Sequence, residues 1–288
     1  MDFKGIRPRY APTQRPEQVV DNDALQQNDA KLQNVRTFST LVSTLSDQAV
    51  FGSAPAAACL QRSLAKWAAA GALLGPANSH QGRLERAWNL TTLAMAAFKL
   101  EKSGSSIPKP TMDWLLKIAK QVQSEEIANR RPEPANLTLW GTLGTGTIAL
   151  LANDQKLWAW SSGEVGKFLD NIQRDGTAPT ELRRRELATG YHFYAAEPLL
   201  AFVRVARCYG HSLSPSRKAS LQRFLKLLRD LKGQKTTLDA RAGVKQKPYK
   251  VQRWFDLLDR PETVPASKDS STRRLGGSVR ALLKAANC

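Results

Sequence analysis

The sequence has 288 residues, enough for one large domain or two smaller ones around a substantial buried core. Hydrophobic residues make up 42% and charged residues 24%, which is ordinary for a soluble globular protein. The charge balance is not ordinary, because the net charge is +18 and the sequence pI is about 10.1. Residues 211–288 alone carry 18 basic and 6 acidic side chains. This excess implies a polyanionic partner, namely nucleic acid, an anionic membrane surface or an acidic polysaccharide.

Cysteine and histidine spacing argues against metal and redox chemistry. Neither the three cysteines nor the three histidines are spaced like a zinc site or a redox motif. The odd number of cysteines supports no disulfide framework, and Cys59 is typical of a small buried residue in a helix. We therefore expect no metal and no cofactor.

Membrane insertion is not indicated by the apolar pattern. No apolar run reaches the roughly 18 residues that a membrane-spanning helix needs. The N-terminal stretch MDFKGIRPRYAPTQRPEQ lacks the apolar region of a signal peptide. We expect a soluble protein without a membrane span that is cytoplasmic, already matured, or begins downstream of an export signal.

The N-terminus differs in composition from the rest of the chain. Residues 1–20 contain three prolines among basic residues, which favours an extended arm over a helix. Arg9 and Tyr10 lie in this arm and are placed to reach back over a binding cleft. We expect one helical domain to follow over residues 21–288.

Apolar residues at helical intervals predict a succession of helices in that domain. The predicted helices cover residues 21–50, 56–74, 81–102, 111–130, 157–172, 184–206, 214–231 and 254–258. Thr111 is the expected N-cap of the fourth, and Pro198 is expected to bend or interrupt the helix over 184–206. Six to eight helices in antiparallel pairs, with no convincing strand pattern, predict an all-α fold that curls into a solenoid or a toroid around a groove.

Two stretches lack a clear helical pattern of apolar residues and are candidates for ligand binding. Residues 135–154 are rich in glycine, but they lack the Gly-Lys-Ser/Thr ending of a phosphate loop and any dinucleotide-binding glycine pattern. This excludes a phosphate loop there. Residues 233–251 are rich in lysine and weakly patterned, and we expect a loop that folds over a charged ligand.

The stretch 181–194, ELRRRELATGYHFY, gathers cationic and proton-transferring groups. On a continuous helix Arg184 and Tyr191 are seven positions apart and share a face, so that both reach one ligand. His192 is rotated by roughly 100° from Tyr191 and faces elsewhere. The alternative is that the arginines are solvated and that the aromatic residues belong to the core. These residues alone leave both readings open.

Four stretches follow one another along the chain: SHQGRLERAWNL, NLTLWGTLGTGTIALLANDQKLWAWS, DGTAPTELRRRELATGYHFYAAEPLL and RRLGGSVRALL. Together and in this order they resemble the alginate lyase family. The resemblance runs from about residue 55 to the C-terminus. It implies an incomplete (α/α) toroid of antiparallel helix pairs in a periplasmic bacterial enzyme that cleaves mannuronate-rich polymers by β-elimination.

The resemblance also implies roles for individual residues. Tyr191 matches the catalytic tyrosine, Arg184 the cleft arginine, and Asn136 the asparagine that helps to hold the uronate carboxylate. The residues expected to bind substrate are Arg274, His192, His80, Arg9 and Tyr10. One position departs from the family pattern: Leu137 stands where a histidine follows the asparagine, and leucine transfers no proton.

Elimination from a uronate requires a base for the C5 proton and an acid for the departing O4. Arginine and amide donors neutralise the carboxylate as charge develops there. A phenol becomes a usable base beside a cation such as Arg184, which lowers its pKa. In mannuronate and glucuronate the C5 proton and O4 lie on the same side, so that Tyr191 alone serves both steps. In guluronate they lie on opposite sides, and a second group is needed.

The sequence is therefore compatible with three functions. The first is a polysaccharide lyase, and the second is a lyase-like protein that binds acidic polysaccharide without cutting it, since Leu137 removes a proton-transferring group. The third, a nucleic-acid-binding protein, rests on charge alone, because no helix-turn-helix, zinc or RNA-binding motif is present. We expect an acidic polysaccharide as partner, no nucleic acid, and a monomer. The tryptophans remain candidates for either core packing or sugar stacking: Trp88, Trp140, Trp158 and Trp254.

Overall fold

The computed structural model describes residues 3–10, 20–129 and 133–288. Within these ranges the chain forms twelve α-helices, two short 3-10 turns and one small hairpin, so the all-α prediction is confirmed. The helices are α1 (Asn22–Val50), α2 (Ala54–Ala69), α3 (His80–Lys102), α4 (Lys109–Ala128), α5 (Asn136–Leu151), α6 (Gln155–Asp170), α7 (Pro179–Leu182), α8 (Ala188–Cys208), α9 (Pro215–Lys232), α10 (Asp239–Ala242), α11 (Trp254–Asp259) and α12 (Val279–Ala285). None of them is both long and apolar enough to cross a membrane.

Among the described residues, six helices begin where a side chain accepts a hydrogen bond from the first turn. The capping residues are Asp21, Ser53, Ser79, Asp154, Ser214 and Ser278. The cap predicted at Thr111 is wrong. Helix α4 begins two residues earlier, after Pro108, because a proline presets the backbone angle of a helix start and Thr111 is buried in the first turn.

Helix α5 is the centre of the fold and packs against α3, α4, α6 and α8. Its glycines permit this close packing. A Cβ atom at Gly144 would lie 2.9 Å from the hydroxyl oxygen of Thr91, and one at Gly146 would lie 2.7 Å from the ring of Phe202. The glycine-rich stretch therefore serves helix packing, in a helix that apolar spacing did not predict.

The helix predicted over residues 184–206 is wrong at its start. Helix α7 ends at Leu182, a 3-10 turn spans Arg185–Leu187, and α8 begins at Ala188. Arg185 has a φ of 53°, and this left-handed backbone breaks the helix. Helix α8 then runs through Pro198 without interruption to Cys208.

A two-stranded hairpin near the C-terminus was not predicted. Strand β1 (Ser271–Thr272) pairs with β2 (Gly277–Ser278), and strands this short leave no alternating pattern in the sequence. The buried ammonium of Lys99 donates hydrogen bonds of 2.6 Å to the carbonyl of Gly276 and to Asp47. The hairpin is thereby fixed to α1 and α3.

A disulfide joins Cys208, at the end of α8, to Cys288, with their Cα atoms 5.1 Å apart. The odd number of cysteines gave no basis for predicting this pair, and it leaves one free thiol. Cys59 is the free one, and it is partly exposed instead of fully buried.

The N-terminal residues that the structure describes pack against the domain. Phe3 is fully buried and its backbone N–H donates to the carbonyl of Pro76, at 2.9 Å. Tyr10 forms an isolated antiparallel bridge with Val20. Residues 11–19 of the predicted arm lie outside the described residues, and the domain boundary at residue 20 stays a prediction.

Candidate active site

A cavity of about 560 Å³ opens where the N-terminal segment, α3, α5, α8 and the hairpin meet. This volume is in the range of sites that hold small ligands. Six of the residues singled out from the sequence line it: Arg9, Tyr10, His80, Arg184, Tyr191 and Arg274. These residues come from distant parts of the chain, and the fold brings them together.

Tyr191 and Arg184 meet in this cavity although no continuous helix joins them. The guanidinium carbon of Arg184 lies 4.6 Å from the centre of the Tyr191 ring, over its face. The neighbouring Arg183 turns away and forms an ion pair of 2.6 Å with Glu133. The helix break before α8 thus separates two adjacent arginines, one into the cavity and one to the surface.

Tyr10 and Tyr191 line the same cavity, and Tyr10 acts on the pKa of Tyr191. Burial raises the pKa of Tyr191, the neighbouring Tyr10 raises it further, and the positive charge of Arg184 opposes both. The predicted lowering of this pKa by Arg184 is therefore outweighed by burial. At neutral pH Tyr191 is a neutral phenol.

Arg274 lies in the turn of the hairpin, and aromatic rings surround its side chain. Its guanidinium carbon is 4.2 Å from the ring centre of Trp88, 5.1 Å from that of Tyr194 and 5.4 Å from that of Trp140. Trp88 and Tyr194 line the cavity, whereas Trp140 is fully buried behind them. A second cation is thereby held at the cavity that contains Tyr191.

Asn136 lies behind the cavity wall and is fully buried. Its backbone N–H and its side-chain amide donate to the two carboxylate oxygens of Glu181, at 2.8 and 2.6 Å. Leu137, the next residue, lines the cavity in its place. Direct contact between Asn136 and a substrate would require its amide to leave Glu181.

His192 does not reach the cavity. It is fully buried, its Nε2 accepts a hydrogen bond from the backbone N–H of Ala178, and its Nδ1 lies 2.8 Å from the carbonyl oxygen of Ala188. Burial lowers the pKa of His192 to about 4, so the imidazole is neutral at physiological pH. The expected substrate contact at His192 is corrected to a role in the core, because a helix turns adjacent residues by about 100°.

A second cavity of about 420 Å³ adjoins the first. The two share three wall residues, His80, Leu84 and Leu137. The second cavity also contains Trp160 and Lys167. Leu137 therefore stands at the junction of two cavities.

Sequence reasoning missed Tyr194 and Tyr249 as cavity residues. Tyr194 is three positions after Tyr191, so helical spacing alone would have placed both on one face. Tyr249 belongs to the lysine-rich stretch, and its ring packs on Gly190, where a Cβ atom would lie 2.9 Å away. Within the described residues, no group of three or more His, Cys, Asp or Glu side chains is arranged to hold a metal ion.

Residues 12–232 match the model of the alginate lyase family. A polysaccharide lyase of Stenotrophomonas maltophilia is 28% identical over 250 residues, which cover 85% of this chain and 75% of the relative. An alginate lyase of Pseudomonas aeruginosa is 27% identical over 243 residues, which cover 77% of this chain and 66% of that protein. The chain thus spans about two thirds to three quarters of these relatives.

Solved structures support the same fold. Alginate lyase A1-III, in a histidine-to-alanine variant complexed with tetrasaccharide, superposes with a TM-score of 0.77 at 20% identity and covers 98% of this chain and 83% of that one. The 1.78 Å structure of alginate lyase A1-III from Sphingomonas species A1 gives a TM-score of 0.71 at 19% identity, covering 96% and 82%. The predicted incomplete (α/α) toroid is confirmed by this likeness.

Proposed function

Because the chain belongs to the alginate lyase family, we propose that it cleaves mannuronate-rich alginate by β-elimination with Tyr191 as the proton carrier. Family membership identifies a polysaccharide lyase. The observation that carries the proposal is the cavity that the Tyr191 phenol shares with two cationic side chains, Arg184 and Arg274. A uronate polymer is an anion, and the chain carries a net charge of +18.

The reaction breaks one C–H and one C–O bond. Tyr191 in its phenolate form takes the proton from C5, and negative charge develops on the uronate carboxylate. The C4–O4 bond then breaks, a C4–C5 double bond forms, and the phenol returns its proton to O4. Arg184 and Arg274 stabilise the charge on the carboxylate. Because burial raises the pKa of Tyr191, the rate rises with pH as the phenolate becomes more abundant.

Leu137 sets the substrate range in this proposal. It occupies the cavity wall and has no proton to give or accept. A single tyrosine serves substrates whose C5 proton and O4 lie on the same side, which holds for mannuronate and glucuronate. Asn136, which donates twice to Glu181, acts here by fixing the start of α5.

Tyr191→Phe tests the proton carrier. We expect wild-type protein to release unsaturated ends from polymannuronate, measured by ultraviolet absorbance, and Tyr191→Phe to be slower by about a thousandfold or more. Affinity for the polymer, measured by calorimetry, should change little because the ring and Arg184 remain. A Tyr191→Phe variant that keeps more than about a tenth of the rate would refute Tyr191 as the base.

The second candidate is binding without cleavage, and Leu137 favours it. In that case wild-type protein binds polymannuronate in calorimetry and releases no unsaturated product at any pH. The same two assays therefore separate the candidates.

We also propose a periplasmic location and a monomeric state. The disulfide between Cys208 and Cys288 supports the location, because disulfides persist in oxidising compartments and are rare in the cytosol. Fractionation of the native host tests the location, and light scattering of the purified protein tests the monomer. Protein found only in the cytosol, or a stable dimer, would contradict these statements.

A further inference from the structure

Aromatic rings contact the side chain of Arg274 at the cavity, whereas the buried carboxyl groups of Glu85 and Glu197 act on it through charge without an ion pair among the described residues. Three ring centres lie within 5.4 Å of its guanidinium carbon: those of Trp88, Trp140 and Tyr194. Within the described part of the chain its guanidinium forms no ion pair and no hydrogen bond. Its Nε is buried without an acceptor.

This mode of support differs chemically from a salt bridge. A ring attracts a cation through its negative face, whereas a carboxylate occupies the N–H donors at the edge of the guanidinium. Burial raises the pKa of Tyr194 and outweighs the opposing charge of Arg274, so its ring is a neutral phenol. The rings therefore hold the charge of Arg274 while its terminal N–H groups stay unpaired among the described residues.

The same cluster is short of hydrogen-bond acceptors. The indole N–H groups of Trp88 and Trp140 are also buried without a partner among the described residues. Trp140 is fully buried and does not line the cavity, so a ligand there meets Arg274 through the terminal N–H groups of its guanidinium. A carboxylate is an acceptor-only group with two oxygens.

Tyr194 also connects Arg274 to the proposed base. Its ring centre lies 6.3 Å from that of Tyr191, with the two planes nearly perpendicular at 86°. Both tyrosines project from α8, one turn apart, so their relative position is fixed by the helix. Tyr194 thereby sets how far the guanidinium lies from the phenol.

We propose that Trp88, Trp140 and Tyr194 form an aromatic cage that positions Arg274 for the substrate carboxylate, and that Tyr194 sets its spacing from Tyr191. These are positioning residues, and the inference rests on the proposed function, since it assigns the carboxylate of a uronate as the acceptor. The cage makes recognition depend on a ring face at position 194 and not on the Tyr194 hydroxyl.

A double-mutant cycle tests the cage. Tyr194→Leu removes the ring, and Tyr194→Phe is the matched control that keeps it. We expect Tyr194→Leu to raise KM for polymannuronate about tenfold with kcat changed less than about threefold, and Tyr194→Phe to change either by less than about twofold. In an Arg274→Ala background, Tyr194→Leu should change KM by less than about twofold, because the cation that the ring holds is gone.

Equal effects of Tyr194→Leu in both backgrounds would overturn the proposal, since the ring would then act on substrate directly. Equal effects of the leucine and phenylalanine variants would overturn it as well, since the hydroxyl would be the active group. Circular dichroism reports folding, and if Tyr194→Leu does not fold, Trp88→Leu replaces it in the same cycle with the same expectation.

Failure of the proposed function gives a different result. If wild-type protein binds a mannuronate oligomer in calorimetry without cleaving it, the lyase assignment fails, and the same cycle read as Kd still decides the cage. If wild-type protein neither cleaves nor binds the oligomer, both proposals are overturned.

Discussion

The two walls of the cavity are held in place in different ways. The Tyr191 wall, residues 179–194, is one continuous stretch that places Arg184 on Tyr191 by a local break in the backbone. The Arg274 wall, residues 271–278, is held by residues of α1 and α3 that are far away in the sequence. Substitutions in the Tyr191 wall should therefore change the reaction rate with little loss of stability. Substitutions beneath the Arg274 wall should change both the rate and the stability.

The largest effect on stability is expected at Lys99, beneath the Arg274 wall. Its side chain is fully buried; desolvation lowers the pKa of Lys99, and ion pairing with Asp47 opposes that shift. Lys99→Met leaves the partly exposed Asp47 without its partner, which costs about 3 kcal/mol of unfolding free energy, the low end for a buried pair. Urea denaturation measures this loss, and KM for polymannuronate should rise because the hairpin is no longer fixed.

The double variant Lys99→Met/Asp47→Asn is the control. It removes both charges and keeps an acceptor for the backbone N–H of Ser278, which donates to Asp47 at 2.8 Å. It should regain most of the lost stability. If Lys99→Met unfolds at the same urea concentration as wild-type protein, the pair of Lys99 and Asp47 does not anchor the hairpin.

In the Tyr191 wall the expected effect is on rate. Arg184→Gln removes the cation over the Tyr191 ring and should lower kcat/KM about a hundredfold, which is about 2.7 kcal/mol, with the melting temperature unchanged. The kcat/KM of Arg184→Lys should lie between the values of wild-type protein and Arg184→Gln. Arg183→Gln is the matched control, since Arg183 is exposed and paired with Glu133, and it should stay near wild type. Equal losses at both arginines would argue for general surface charge and against a specific role of Arg184.

The smallest effect concerns the pH dependence. Tyr10 raises the pKa of Tyr191, so Tyr10→Phe should lower that pKa. Because the phenolate is the active form, the rising limb of kcat/KM should move to lower pH, by less than about one unit, or roughly 1 kcal/mol. Tyr249→Phe, in the same cavity, should leave the limb in place. If the rising limb of kcat/KM moves to higher pH in Tyr10→Phe instead, the phenolate is not the active form of Tyr191.

The Tyr191 wall is local in sequence and the Arg274 wall depends on distant residues, and this difference explains which features the sequence could predict. The long helices other than α5 follow from apolar spacing, whereas the closeness of Arg184 to Tyr191 was predicted from a continuous helix that the structure does not have. The positive φ of Arg185 was not predictable, because arginine has no preference for it. Arg184 nevertheless reaches Tyr191, since the break keeps the two turns adjacent.

The Arg274 wall could not be derived in this way. The hydrogen bond from Thr92 to the carbonyl of Arg273 joins residues 181 positions apart, and the disulfide joins cysteines 80 positions apart. No periodicity in a single sequence encodes such pairs. His192 illustrates a different limit. Its motif predicted a contact with substrate, but the rotation between adjacent residues of α8 places its side chain in the core.

The most direct test of the central claim, one tyrosine serving as both base and acid, is the initial rate of wild-type protein on polymannuronate and on polyguluronate, measured side by side as unsaturated-product absorbance. The account predicts cleavage of polymannuronate and a rate on polyguluronate that is lower by about a hundredfold or more, because no second proton-transferring group stands at Leu137. Equal rates on the two polymers would contradict it.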